Sequence, residues 1–421
     1  SQIHSPNIDR LASQGTQFNR AYCNIAVSGA SRASLLTGLR PTQHRFTTYY
    51  TWADSVAPDV PCMPQHFKNH GYTSISNGKV FHHQEDRLES WSEQWYPEVK
   101  NSWRDYQDPK NIKAQKNGSG SAFESLELPD TSYFDGKIAE KTITDLKKLK
   151  ESGEPFFLAA GFLKPHLPFT APQKYWDLYE RDNIQLPEND YPPQNAPKRA
   201  LHNWGELRSY NDIPQKGPVT DEMARKLIHG YYACVSYTDA QIGKLLDALE
   251  ALELDKNTMV VLFGDHGWNL REHGLWCKHS VFRTSTHTPL IIQVPGMTKG
   301  KQSEALVEFV DIYPTLCDLT GLDKPEHLQG ESMMSLLKDP YAEWNNPVIS
   351  RWKDGFTIKT DRYAYTEWVR KSDNQMMNKM LYDHQNDIEE NINVADKPKY
   401  APVVRKLSDS LRNNWGEHFD N

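Results

Sequence analysis

Ser28–Arg32, with the sequence SGASR, is followed five residues later by Thr37-Gly38 and is the most informative stretch of this chain. Residues 30–39 are mostly good helix formers, so the pattern predicts a helix with Ser28 at its amino-terminal end. Free backbone N–H groups and the positive end of the helix dipole meet there, which suits an anionic sulfate or phosphate. Arg32 lies one turn into the helix, where its planar fork of donors can hold an oxyanion. Taken alone, the stretch equally fits an ordinary serine-capped helix.

Outside this stretch, short apolar runs alternate with helical patterns. Strands are predicted at 71–78, 155–162, 258–263 and 290–294, and helices at 7–14, 133–151 and 221–254. The alternation predicts an α/β class, with a large mixed, mostly parallel sheet flanked by helices. After about Pro340 the pattern changes to short antiparallel strands and a final helix at 401–415, which predicts a smaller C-terminal α+β subdomain. The predicted domains are residues 1–340 and 341–421.

Two polar segments interrupt this pattern. Residues 84–128 are interpreted as a long insertion, and residues 187–218 are rich in proline and asparagine. The second segment is too long for a passive connection, so we expect it to shape a site. Trp204 and Arg208 within it are candidate substrate-binding residues.

The composition excludes several classes of protein. The net charge is −7, so no global basic field favours nucleic acid as a partner. No run of about 18 apolar residues predicts a membrane span, and no signal peptide is recognised at the start. The five cysteines are scattered and form neither a disulfide framework nor a zinc motif.

Three further blocks place polar side chains where predicted strands end. Lys79 and His82 follow the strand at 71–78, in G-K-V-F-H, and would project into the crevice at its carboxyl end. His166 lies in K-P-H-L-P-F, where two prolines fix the loop. Asp265 and His266, in D-H-G-W, would offer oxygen and imidazole ligands at the sheet edge.

Together the blocks resemble the signatures of the type I sulfatases and follow the same order along the chain. The residues within the blocks are most similar to those of the iduronate-2-sulfatase branch. The resemblance implies an alkaline-phosphatase-like fold. It also implies that residue 28 is oxidised to formylglycine, whose hydrated aldehyde attacks the sulfate ester. A maturase would be a partner, and a plain serine would not turn over because it has no second hydroxyl to expel sulfate.

The resemblance also assigns roles. The implied catalytic residues are Ser28, Arg32, Lys79, His82, His166 and Lys278, with His166 as the general acid near the leaving-group oxygen and the two lysines on the sulfate. The implied Ca²⁺ ligands are Asp265, His266 and the residue-28 side chain. Candidate substrate-binding residues are Trp268, His287, Trp204 and Arg208.

The expected reaction is hydrolysis of sulfate esters on a sulfated oligo- or polysaccharide, removing 2-O-sulfate from terminal uronic acid residues. Algal glycans such as ulvan or carrageenan stay open as substrates. So does an inactive or substrate-trapping glycan binder, if Ser28 is unmodified. A two-zinc phosphatase or phosphodiesterase is disfavoured by Lys79 and Lys278. The compartment inferred from such substrates is periplasmic or extracellular.

The chain departs from the family pattern in two ways. The family carries an Asp-Asp pair of metal ligands before the segment that matches residues 5–14, and this sequence begins after that point, as a fragment of a longer protein would. With Asp265 and His266 alone, we expect calcium to bind poorly. Two origins of Ser28 also stay open, because some bacterial sulfatases mature a serine and because a serine can be engineered in place of the cysteine.

Overall fold

The computed structural model describes residues 2–99, 102–297, 299–370, 372–373 and 375–414. The strands are β1 Thr16–Tyr22, β2 Thr73–Gly78, β3 Glu93–Trp95, β4 Phe123–Leu126, β5 Phe156–Gly161, β6 Phe169–Pro172, β7 Val260–Phe263, β8 Asn269–Leu270, β9 Trp276–Cys277, β10 Leu290–Gln293, β11 Lys301–Glu308, β12 Val348–Trp352, β13 Gly355–Lys359, β14 Tyr363–Val369 and β15 Met376–Asp383. The helices are α1 Pro6–Gln14, α2 Ser28–Thr37, α3 Ala53–Val56, α4 Met63–Asn69, α5 Pro109–Lys116, α6 Phe134–Ser152, α7 Gln173–Trp176, α8 Asp221–Ala251, α9 Arg283–Thr286, α10 Ile312–Thr320, α11 Met334–Lys338 and α12 Ala401–Asn414.

Two sheets form the layer on which the site is built. A mixed sheet has the order β11-β1-β10-β7, in which β1 is parallel to β11 and antiparallel to β10. A parallel sheet has the order β3-β2-β5. Helices α2, α4, α6 and α8 pack against these strands, and the largest buried cluster lies between β1, β10, β11 and helices α2, α4 and α10. The predicted α/β class is confirmed.

Strands β5 and β7 are apolar but only half-buried. The sequence predicts both as buried strands, yet every residue of β5 has intermediate exposure and Phe263, at the end of β7, is 36% exposed. Among the described residues, β5 pairs with β2 and β7 pairs with β10. Within the described part of the chain, each strand therefore keeps one hydrogen-bonding edge without a strand partner, and this incomplete pairing explains the exposure.

The C-terminal part of the chain forms a separate antiparallel sheet in the order β12-β13-β14-β15, with α12 packed on it. This confirms the predicted antiparallel sheet. It contacts the larger part of the chain through Ser350, whose hydroxyl donates to the Cys23 carbonyl. The domain boundary at 340 stays a prediction, and Trp415, at the predicted end of the last helix, lies outside the described residues.

Most predicted helices are confirmed with small shifts of their ends. Helix α6 ends at Gly153, whose φ of 69° is the left-handed conformation that closes a helix. Ser5 precedes α1 but makes no side-chain cap bond. The Asp239 carboxylate on α8 accepts hydrogen bonds from the Asn7 and Ile8 N–H groups instead. In the part of the chain that the structure describes, no helix is long and apolar enough to cross a bilayer.

Candidate active site

Ser28 is the first residue of helix α2, as the sequence predicts, and only 4% of it is exposed. The residue that precedes the helix is Val27, so Ser28 is a helical residue and not the cap. Gly29 is required by its surroundings, because a Cβ there would lie 2.5 Å from the Tyr49 carbonyl oxygen. The segment containing Tyr49 therefore packs directly against the turn that carries Ser28.

Arg32 links the helix to the ends of two strands. Its Nε lies 2.8 Å from Asp265 Oδ2, and its terminal nitrogen donates to the carbonyls of Lys79 and Val80. Burial alone would raise the pKa of Asp265, but Arg32, His266 and Lys79 outweigh burial and hold that pKa well below its usual range. Asp265 is therefore ionised at neutral pH, and Arg32 forms an ion pair with this carboxylate.

His266 faces Ser28. Its Nε2 lies 3.0 Å from Ser28 Oγ, and its Nδ1 lies 2.8 Å from the Gly267 carbonyl oxygen. A carbonyl can only accept, so Nδ1 carries the hydrogen and Nε2 presents a lone pair to residue 28. Burial lowers the pKa of His266, which favours this neutral form.

Lys79 and His82 follow the carboxyl end of β2, as predicted. Burial and the nearby Arg32 lower the pKa of Lys79 to about 8. Burial, Lys79 and Arg32 lower the pKa of His82 to about 3, so the imidazole is neutral at pH 7. No hydrogen-bond partner for buried His82 Nδ1 is found among the described residues.

His166 lies after β5, between Pro165 and Pro168. Its Nδ1 is 2.6 Å from the Leu167 carbonyl oxygen, which places a hydrogen on Nδ1. Its Nε2 is 3.1 Å from Lys278 Nζ. Burial, together with Lys278, lowers the pKa of His166 to about 4.

Lys278 is 3% exposed and follows the short strand β9. Besides His166, its ammonium group contacts Glu206 Oε1 at 2.6 Å and lies 4.7 Å from the centre of the Trp268 ring. Trp268 also packs edge-on against His166, with ring centres 5.6 Å apart. The structure thus brings Lys278, His166 and Trp268 together, as the sequence predicts for a single site.

Glu206 is a site residue that no sequence motif predicts. It lies in the 187–218 segment and contacts both Lys278 and His166, the latter at 2.9 Å from Nε2. The available signal was the length of that segment, which predicts a site-shaping role for the loop. Nothing in N-W-G-E-L-R marks the glutamate itself.

Three predicted substrate-binding residues make contacts within the scaffold. Trp204 Nε1 donates to the Gly274 carbonyl at 2.7 Å. The Arg208 guanidinium donates to carbonyls of its own loop at Asn203, Pro214 and Gly217. His287 Nε2 lies 2.8 Å from the carbonyl oxygen of Asn19, in the middle of strand β1. Their binding roles stay predictions, and the contacts point to support of the loop and of β1.

Exposed aromatic rings border the site on two sides. Tyr49 and Tyr50 are 46% and 68% exposed, and the Tyr49 ring lies 6.3 Å from that of His82. Trp103, from the 84–128 insertion, is 46% exposed and lies edge-on to His166 at 5.7 Å. Exposed rings beside the charged side chains of the site are suited to contact sugar rings, and no sequence pattern marks these three residues.

The described residues do not complete a calcium site. Asp265 and His266 meet at residue 28, but Asp265 Oδ2 is occupied by Arg32, and a group of three or more His, Cys, Asp or Glu side chains placed to hold a metal is not found in the described part of the chain. Ca²⁺ takes six to eight oxygen ligands. The donors that the described residues present are therefore too few, and weak calcium binding by this chain stays a prediction.

The geometry defines a class of enzyme. At the helix amino terminus, the buried Ser28 hydroxyl faces the His266 imidazole, and the adjacent Asp265 carboxylate pairs with Arg32. Lys79 lowers the pKa of Asp265 and Lys278 lowers that of His266, so both lysines lie near the groups around residue 28. Positive groups converging on a nucleophile at a helix amino terminus suit hydrolysis of an anionic ester.

Comparisons with known proteins identify the family. The sulfatase family model matches residues 1–322, and a model described as N-sulphoglucosamine sulphohydrolase, C-terminal, matches residues 271–416. The chain is 33% identical to iduronate 2-sulfatase of Homo sapiens, over 87% of this chain and 81% of the relative. It is 30% identical to a sulfatase of Formosa agariphila, over 97% of this chain and 81% of the relative. A solved structure in complex with its substrate D-glucosamine-2-N,6-O-disulfate matches with a TM-score of 0.79 and 20% identity, over 100% of this chain and 94% of that one.

The chain belongs to the sulfatase family and is a sulfuric ester hydrolase. The resemblance drawn from the four sequence blocks is confirmed.

Proposed function

We propose that this sulfatase acts on a sulfated glycan and removes 2-O-sulfate from a terminal uronic acid. The observation that carries the proposal is the cluster of Arg32, Lys79, Lys278 and His166 next to the groups that contact residue 28, in a chain 33% identical to an iduronate 2-sulfatase. We further propose that the protein works outside the cytoplasm, where such glycans occur, and that a maturase converts residue 28 to formylglycine.

Residue 28 fits this modification. Its side chain is buried at the helix amino terminus, and the Nε2 lone pair of His266 faces it at 3.0 Å. The hydrated aldehyde would supply two hydroxyls on one carbon, one for attack on sulfur and one for release of sulfate. Because the calcium donors present are too few, we assign no step to a metal.

We assign a separate role in the reaction to each of four side chains. Lys79 and Lys278 offset the charge of the sulfate oxygens as the ester bond breaks. His166 Nε2, the nitrogen that points into the site, delivers a proton to the departing sugar oxygen. His82, neutral because its pKa is lowered to about 3, accepts a proton when sulfate is expelled.

The leaving-group side carries features that suit a uronic acid. Trp103 lies beside His166, and the Arg104 guanidinium lies 4.7 Å from the centre of the Trp103 ring and 5.3 Å from that of Tyr210. A sugar ring can stack on an exposed tryptophan, and an arginine next to it can pair with a carboxylate. We therefore assign Trp103 and Arg104 to recognition of the uronic acid that loses its sulfate.

The proposal is tested with a panel of sulfated oligosaccharides and protein that carries the aldehyde at residue 28. The panel contains 2-O-sulfated unsaturated uronides, 6-O- and N-sulfated glucosamines, and ulvan and carrageenan oligosaccharides. Preferential sulfate release from the 2-O-sulfated uronides is the expected result. Preference for an algal oligosaccharide would replace the substrate assignment, and binding without release would support a glycan-binding protein.

Arg104→Lys and Arg104→Ala refine the test. We expect both variants to raise KM for the uronide and to leave KM for an aryl sulfate, which has no carboxylate, unchanged. Glu188→Gln, an exposed change in another loop, is the matched control. Equal effects on both substrates would refute carboxylate recognition by Arg104.

A further inference from the structure

A negative charge lies inside a site that must bind an anion. Glu206 has 19% of its side-chain surface exposed, and its Oε1 is 2.6 Å from Lys278 Nζ and 2.9 Å from His166 Nε2. In an anion-binding site a carboxylate repels the substrate, so its presence needs a reason. The reason lies in the two groups that it contacts.

The backbone fixes a hydrogen on Nδ1 of His166. Because the Leu167 carbonyl can only accept, Nδ1 always carries a hydrogen. In the neutral imidazole, Nε2 is an acceptor and Lys278 donates to it across 3.1 Å. In the imidazolium, Nε2 becomes a donor, and Glu206 is the acceptor within reach. The same nitrogen thus has a partner in both protonation states.

The charges explain why the carboxylate is needed. A protonated His166 would place a second positive charge 3.1 Å from the Lys278 ammonium, and Lys79 adds to the positive potential. Burial, Lys278 and Lys79 all oppose protonation of His166, whereas Glu206 favours it. His279 faces the other side of Glu206, with its Nδ1 3.9 Å from Oε2. Of the groups named here, Glu206 is the one that offsets the lysines.

We propose that Glu206 is a positioning residue of the general acid, which holds Lys278 and His166 in one hydrogen-bonded group and lets His166 carry a proton beside a lysine. The proposal rests on the proposed role of His166 in protonating the leaving group. It adds to that role a residue from the 187–218 loop and a reason for the negative charge in the site. When the proton passes from Nε2 to the leaving oxygen, Nε2 regains its lone pair and accepts again from Lys278.

The first test measures the pKa of His166 directly. Imidazole nitrogen NMR of ¹⁵N-histidine-labelled protein gives each titration, and His166→Gln identifies the His166 signals by their loss. We expect Glu206→Gln to lower the pKa of His166 by at least about one unit, because an opposite charge in contact is removed. Glu188 is an exposed glutamate of the same loop, so Glu188→Gln is the control and should leave the pKa of His166 unchanged. An unchanged His166 pKa in Glu206→Gln would overturn the proposal.

The second test uses leaving groups of different quality, on protein with the aldehyde at residue 28. A sugar sulfate needs protonation of the departing oxygen, whereas a nitrophenyl sulfate does not. Glu206→Gln should lower kcat for the sugar sulfate by at least about tenfold and change kcat for the aryl sulfate by less than about twofold. Glu206→Asp keeps the charge and should recover part of the loss. An equal loss on both substrates would mean a merely structural role and would overturn the proposal.

The two tests also separate this inference from the proposed function. If the aldehyde-bearing wild type released no sulfate from any member of the panel, the proposed function would fail. The NMR titration would still decide whether Glu206 holds the proton on His166. If sulfate were released but the titration did not respond, the proposed function would stand and this inference would fall.

Discussion

The ion pair between Arg32 and Asp265 is the contact on which the nucleophile's surroundings depend. Arg32 Nε is 2.8 Å from Asp265 Oδ2, and the two side chains are only 14% and 17% exposed. Replacing Arg32 by alanine leaves a mostly buried carboxylate without its main counter-charge and removes donors from the Lys79 and Val80 carbonyls. We expect Arg32→Ala to lower the free energy of unfolding by about 3–5 kcal/mol, the usual cost of breaking a buried pair.

The double mutant separates the pair from its surroundings. Asp265→Asn removes the charge that Arg32 compensates, so Arg32→Ala should cost much less in the Asp265→Asn background. The expected coupling energy is about 2–3 kcal/mol, typical of residues in direct contact in one network. Urea unfolding followed by circular dichroism gives the free energy of unfolding of the wild type, both single mutants and the double mutant. Arg10→Ala is the control, because Arg10 forms a partly exposed ion pair with Asp247. Since exposed pairs contribute little, the control should cost no more than about 1 kcal/mol.

Two results would refute this reasoning. A cost below about 1 kcal/mol for Arg32→Ala would mean that water replaces Arg32 at Asp265. Strict additivity in the double mutant would mean that the two side chains do not interact, whatever their distance.

Three further predictions concern other parts of the chain. Gly29→Ala should lower the unfolding free energy by about 1–3 kcal/mol, because its Cβ would meet the Tyr49 backbone. Thermal unfolding measures this against Gly205→Ala, where an added Cβ meets no close neighbour, and an unchanged midpoint of Gly29→Ala would contradict the packing. Burial alone would raise the pKa of Glu390, but Lys359 and His384 outweigh burial and lower it to about 2. The ionised carboxylate therefore stabilises the fold fully above pH 4.5, and about 3 kcal/mol of unfolding free energy is lost as the pH falls towards 2. Glu390→Gln should flatten that pH dependence, and an unaltered slope would contradict it. Calorimetric titration of the 421-residue chain with Ca²⁺ should give a dissociation constant on the order of 10⁻³ M or weaker; micromolar binding would contradict the incomplete donor set.

The elements that the sequence predicts well are those with strong local signals. Helix α8 has a long regular apolar period, and α6 ends at a glycine in the left-handed conformation. The site blocks are also local, since Lys79, His166 and Asp265 each follow a strand within a few residues. For this reason the convergence of these blocks at the strand ends could be predicted from the sequence.

What the sequence missed depends on contacts between distant segments. Strand β1 has the sequence TQFNRAY, without clear alternation, and its partners β10 and β11 lie more than 270 residues further along the chain. The half-burial of β5 depends on which strands pair with it, and an apolar run carries no information on that. Glu206 belongs to the site only because its loop folds back onto Lys278, which no local pattern indicates.

The most direct test of the central claim measures the aldehyde and the turnover in the same samples. Ser28 protein and Ser28→Cys protein, each made with and without a maturase, are compared by peptide mass spectrometry at residue 28 and by sulfate release from a 2-O-sulfated uronide. The account predicts that the rate of release rises in proportion to the fraction of residue 28 present as aldehyde and is absent in unmodified serine protein. A fully formed aldehyde without release from any sulfated glycan of the panel, or equal release by unmodified serine, would contradict it.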